Sequence, residues 1–174
     1  MDYDFTLKFK LPDTSGDDDA LIEQLGAAGC DDALVGLGIP GRIALNFTRA
    51  ADSAQAAILS ALADVKKAIP SAKLIEVGPD FVGLTDVAEM VGVSRQNLRK
   101  LMLTNSATFP PAVHDGSASI WHLALILQWL QPRGSYQIAQ NILEVACTAM
   151  QVNIAKESEL LPKDLRQEML KLVA

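Results

Sequence analysis

Between Ser94 and Leu101 the chain reads Ser-Arg-Gln-Asn-Leu-Arg-Lys-Leu. Arg95 and Arg99 carry the planar fork that pairs bidentately with a guanine edge, and Gln96 and Asn97 carry amides that pair with adenine. Ser94 and Lys100 suit phosphate oxygens. On a helix, Leu98 and Leu101 fall on one side and leave these polar groups outside. An ordinary solvated face has the same composition, so the flanking elements decide its meaning.

Those elements are specific. Leu84-Thr85-Asp86-Val87-Ala88-Glu89-Met90-Val91 predicts a short first helix, with Thr85 as its N-cap and Val87, Ala88 and Val91 facing inward. Ala88 is small where a second helix has to cross closely. Gly92 supplies the positive φ of a sharp turn, Val93 plugs the corner, and Ser94 caps the second helix. Together these are the requirements of a helix-turn-helix whose second helix enters the major groove. Arg95, Asn97 and Arg99 are expected to be its main readers.

Phe109-Pro110-Pro111 leads to a turn at His114-Asp115-Gly116-Ser117, then Ser119-Ile120-Trp121 and an apolar helix through Trp129-Leu130. A two-stranded wing fits this pattern, with His114 at its tip as a phosphate donor or a plain surface histidine. Residues 82–131 resemble the winged helix-turn-helix of the MerR and phage-excisionase superfamily. The resemblance rests on Leu84-Thr85-Asp86-Val87-Ala88, Gly92-Val93-Ser94-Arg95, Phe109-Pro110 and Trp121 through Leu130. It implies that Ser94 to Lys100 read DNA and that the wing touches the backbone or minor groove. No MerR-type effector domain is recognisable elsewhere. Glu23 to Asp32 and Ala50 to Lys66 are similar to segments of uncharacterised bacterial helix-turn-helix proteins, which implies no activity. Trp121 and Trp129, eight residues apart, read as core on one helix face, and His122 as a lone helix residue.

Ahead of this segment, Phe5, Leu7, Phe9 and Leu11 alternate with polar residues as a half-buried strand does. Pro12 to Gly16 is a turn cluster, and Asp17-Asp18-Asp19 opens a helix to Ala28, with Leu21, Ile22 and Leu25 on its apolar side and Gly29 as its stop. The three aspartates suit a helix N-terminus better than a metal, because no spaced oxygen ligands accompany them. Leu34 to Leu37 and Ile43 to Phe47 predict two more strands. Gly36, Gly38 and Gly41 between them read as turn glycines, since a phosphate loop leads from a strand into a helix. Ser53 to Ile69 predicts a second helix, and Lys73 to Val77 a fourth strand. The order βαββαβ predicts a ferredoxin-like sandwich over residues 1–80. The expected fold class is α+β: that domain, a winged helix-turn-helix over 81–133, and C-terminal helices over 134–174.

The net charge of −6 belongs to the first segment. Residues 1–80 hold 13 acidic and 7 basic side chains, whereas 81–133 hold 3 and 4 and 134–174 hold 5 and 4. The slightly basic middle therefore remains compatible with DNA. Hydrophobic residues make up 49% and charged residues 21%, which excludes intrinsic disorder. No stretch approaches the ~18 apolar residues that span a bilayer. The acidic start Met1-Asp2-Tyr3-Asp4 is unlike a secretory signal, and Cys30 and Cys147 fit no metal or disulfide spacing. A cytoplasmic location without membrane contact is the expectation. Ile138, Ile142, Val145, Ala149 and Val152 form a short heptad seam, and Leu165, Met169 and Leu172 are expected inward on a last helix after Pro162. These helices either cover the other domains or make a homodimer.

The reading that follows is a sequence-specific regulator of bacterial or phage type, a repressor acting by occupancy of double-stranded DNA through Thr85, Ser94, Arg95, Gln96, Asn97, Arg99, Lys100 and His114. Antitoxin-like and excisionase-like roles are versions of it. The alternative is a protein-interaction module, such as an antitoxin or assembly factor, that takes a partner protein through the N-terminal domain or C-terminal helices. No catalytic residues, cofactor or metal ligands are expected, and enzymatic function is the least favoured class.

Overall fold

The computed structural model describes residues 1–12 and 17–173; most of the Pro12–Gly16 turn cluster lies outside them. Strand β1 (Asp2–Lys10) turns Tyr3, Phe5, Leu7 and Phe9 inward and leaves Asp4, Thr6, Lys8 and Lys10 on the other face. Strands β2 (Ala33–Gly36), β3 (Arg42–Ala50) and β4 (Lys73–Gly78) complete a four-stranded sheet of order β2-β3-β1-β4, antiparallel at every junction. In-phase alternation fixes the register: Phe5 lies opposite Phe47 and Leu7 opposite Leu45, with the two phenyl rings stacked at 5.2 Å.

Helix α1 (Asp18–Ala28) starts where the Asp17 carboxylate accepts from the Asp19 N–H at 3.1 Å, and it stops at Gly29, whose φ is +116°. Its Leu21 and Leu25 are buried, while Ile22, expected beside them, is exposed. Helix α2 (Ala54–Ala68) is capped by Ser53 and buries Ala54, Ala57, Ala61 and Ala68, small side chains that let it lie close to its neighbours. Inward from β3, Arg49 follows Ile43, Leu45 and Phe47 in phase and is nearly buried. It pairs with Asp32 at 2.7 Å and Asp64 at 2.8 Å and donates to the Gly29 carbonyl, tying together the ends of both helices. The hydrogen bonds to Asp32, then Asp64, raise the Arg49 pKa further above its ordinary value against the cost of burial.

The second core lies beyond Asp80. A three-stranded sheet of order β5-β7-β6 is built from β5 (Phe81–Val82), β6 (His114–Asp115) and β7 (Ser119–His122). Around it pack α3 (Leu84–Met90), α4 (Arg95–Thr104) and α5 (Leu123–Leu130). Trp121 stands on strand β7 and only Trp129 on α5, so they do not share a helix face. Both meet Phe109 edge-on, at 6.4 and 5.0 Å between ring centroids.

Helix α6 (Gln140–Ser158) serves both cores. Val145, Ala149 and Val152 of the heptad seam pack on the sheet core, while Leu143 and Ala146 enter the second core and Ile138 and Ile142 pack against it. The seam is thus occupied within one chain. Asn153, fully buried, accepts from the Val77 N–H at 2.9 Å and donates to the Val77 carbonyl at 2.8 Å, standing in for a neighbouring strand on the β4 edge. Helix α7 (Lys163–Val173) departs from expectation. Leu165, Met169 and Leu172 are exposed, Leu172 at 82%; α6, and not α7, contributes to the two cores.

Candidate nucleic-acid interface

Helix α3 does not start at Thr85. Gly83 is its N-cap, with the Asp86 carboxylate accepting from the Gly83 N–H at 2.8 Å, and Thr85 sits exposed in the first turn. Leu84 is consequently inside the helix and buried. The sequence pattern misled because threonine is a common cap, whereas the half-box from Asp86 to a glycine leaves no side chain to read at the cap itself. Val87 and Ala88 are buried as expected, and Val91 is half-buried. The turn follows the predicted chemistry: Gly92 adopts φ +72°, and the Val93 N–H donates to the Ala88 carbonyl at 2.9 Å. Ser94 caps α4 by accepting from the Asn97 N–H at 3.2 Å.

On α4, Leu98 is fully buried and Leu101 and Met102 are half-buried, while Arg95, Gln96, Asn97, Arg99, Lys100 and Leu103 are exposed. At roughly 100° per residue, Gln96, Lys100 and Leu103 form the centre of the outward face. Arg95 and Arg99 lie on the flank beside Met102 and line a hollow of about 480 Å³ with Thr85, Asp86 and the wing residues Ser117 and Ser119. Asn97 is turned roughly 200° from Arg95, onto the other flank, so the three expected main readers do not share a face. Leu103, 59% exposed on this polar surface, escaped sequence reasoning because apolar residues are read there as core.

The wing forms where the turn signals placed it. His114 pairs with Ile120 and Asp115 with Ser119 across β6 and β7, and the Ser119 hydroxyl donates to the Asp115 carboxylate at 2.6 Å. His114 is exposed at the start of β6, and its imidazole folds over Gly116, where a Cβ would collide with it. Arg133 is engaged elsewhere, its guanidinium stacked 3.2 Å from the centroid of the Trp129 ring. The cations left facing outward on α4 are Arg95, Arg99 and Lys100.

His122 is not isolated. It ends β7, and its Nδ1 lies 2.7 Å from the buried Asp80 carboxylate, which also accepts from Asn153 at 2.7 Å. The Asp80 carbonyl accepts from the Leu123 N–H at 2.7 Å. This polar junction fixes the winged segment against α6 and the β4 edge. Sequence could not find it, because Asp80, His122 and Asn153 are far apart along the chain.

Residues 80–134 match the family model of the prophage CP4-57 regulatory protein, AlpA. The match covers under a third of the chain, and it coincides with the winged segment from Asp80 through the turn after α5. This similarity supports DNA-binding regulation of phage type, carried by that segment. No curated protein and no solved structure gives a significant match. No helix among the described residues is long and apolar enough to cross a membrane.

Proposed function

We propose that the protein is a sequence-specific regulator that binds double-stranded DNA with α4 in the major groove and the wing beside it. The observation that carries this reading is the AlpA-type match falling on a helix-turn-helix whose second helix presents Arg95, Gln96, Asn97, Arg99 and Lys100 to solvent. Their positions divide the work. Gln96 and Lys100, with Asn97 at the margin, address base edges, while Arg95, Arg99 and Thr85 hold the backbone in the hollow between α4 and the wing. Ser94 serves as the cap that orients the helix, and His114 adds a donor at the wing. The mechanism is occupancy, as a repressor in the cytoplasm, and the MerR/excisionase resemblance supports a bent or blocked site rather than catalysis.

A ferredoxin-like reading of residues 1–80 is supported by the βαββαβ order and the antiparallel arrangement β2-β3-β1-β4. The winged unit over 81–133 reads DNA, and 134–174 supplies α6 as internal support and α7 as a contact element. A homodimer is part of this reading, and its two-fold symmetry would place the two α4 helices on an inverted repeat. One observation favours the second reading, a module that binds a partner protein as an antitoxin or assembly factor does: the exposed apolar residues of α7. Selection of bound sequences from random duplex DNA, followed by salt titration, tests the two. An enriched site whose affinity falls steeply with salt supports the regulator. Absence of enrichment at low salt refutes it and leaves the partner-binding module.

A further inference from the structure

On the face of the sheet away from the helices, three cations stand side by side. Lys10 pairs in register with Arg42 on β3 and with Lys73 on β4, so all three project from the same face, and all three are exposed. Like charges directly opposite one another disfavour a sheet. The segment around them is strongly acidic, yet among the described residues none of the three has an ion-pair partner. Glu76, across from Lys8 on this face, is paired with it at 2.9 Å.

Of the three, Arg42 lines a hollow in the sheet face, whereas Lys10 and Lys73 line a separate one with Leu11, Pro12 and Ser71. Gly36 and Ala44, opposite each other on β2 and β3, leave a floor without large side chains, and Ile39 and Ile75 form apolar walls. Arg42 and the Lys8–Glu76 ion pair also line it, and the hollow holds about 450 Å³, within the range of small-molecule sites. The glycines that failed as a phosphate loop thus shape a cavity of another kind.

We propose that this open sheet face binds a small organic anion, its charged group on Arg42 with Lys10 beside it and its apolar body over Gly36 and Ala44. The site stands apart from the α4 surface and does not depend on DNA binding. The fluorescent probe 1-anilinonaphthalene-8-sulfonate, which combines a sulfonate with an aromatic body, tests it. Wild-type protein is expected to give a saturable one-to-one rise in fluorescence. Lys10→Gln with Arg42→Gln should weaken it at least tenfold. Gly36→Leu should abolish it by filling the floor, because a Cβ at Gly36 meets only ordinary contacts, the nearest at 3.7 Å. Leu165→Ser with Met169→Ser, on the exposed face of α7, should leave it unchanged. Circular dichroism checks that each variant is folded. No saturable signal in the wild type, a signal indifferent to both sheet variants, or one lost with the α7 variant overturns the proposal.

Discussion

Replacing Asn153 with leucine keeps the volume of the side chain and removes its amide from the centre of the molecule. Three buried groups then lose a partner: the Val77 N–H, the Val77 carbonyl and one oxygen of Asp80, now held at 2.9, 2.8 and 2.7 Å. An unsatisfied buried polar group costs about 1–3 kcal/mol, and a charged one more, so the expected loss is about 3–6 kcal/mol. That is a large share of the roughly 5–15 kcal/mol that holds an ordinary domain folded. With a urea slope near 2 kcal/mol/M, the midpoint falls by about 1.5–3 M. Both tryptophans belong to the second core, so their fluorescence reports that core while far-UV ellipticity reports the whole chain. In the wild type the two signals should change together, because α6 contributes to both cores. A loss below about 1 kcal/mol would refute the reasoning on buried pairing, and separate wild-type transitions would refute the coupling through α6.

Two further outcomes follow from the titrating groups. Burial, aided by the negative charge of Asp64, pushes the Cys30 thiol up to about 11, whereas Cys147 is only half-buried. A thiol reagent at pH 8 should modify Cys147 in the native protein and reach Cys30 only after unfolding; equal rates would contradict this. Hydrogen bonds from Gln140 and then Tyr3 hold the Glu144 carboxyl below its ordinary value. Its contribution to stability is therefore present above the unfolded-state value of about 4.3 and is lost as pH falls through the lower folded-state value. Between pH 6 and 3 the urea midpoint of Glu144→Gln should decline less than that of the wild type, and parallel declines would argue against the assignment.

Local chemistry was legible in the sequence wherever near neighbours decide it. Period-two alternation set the inward faces of β1 and β3, and Gly29, Ser53, Gly92 and Ser94 marked helix ends that depend on a single residue's φ or hydroxyl. The exposure of Arg95, Gln96, Asn97, Arg99 and Lys100 was visible for the same reason: two leucines fix which side of a helix is buried. Tertiary structure alone decided the rest. Strand β5 is two residues long, too short to carry a period, and forms because β7 offers it an edge. The heptad seam of α6 left open whether it served its own chain or a second copy, and its two sides meet two cores of its own chain. The Arg49 cluster, the Asp80–His122–Asn153 junction and the row Arg42–Lys10–Lys73 join residues from separate elements. Periodicity describes a residue's relation to its own helix or strand, and it is silent on which element arrives opposite. That depends on how the whole chain shares out its apolar surface, so the fold alone could bring these charges together.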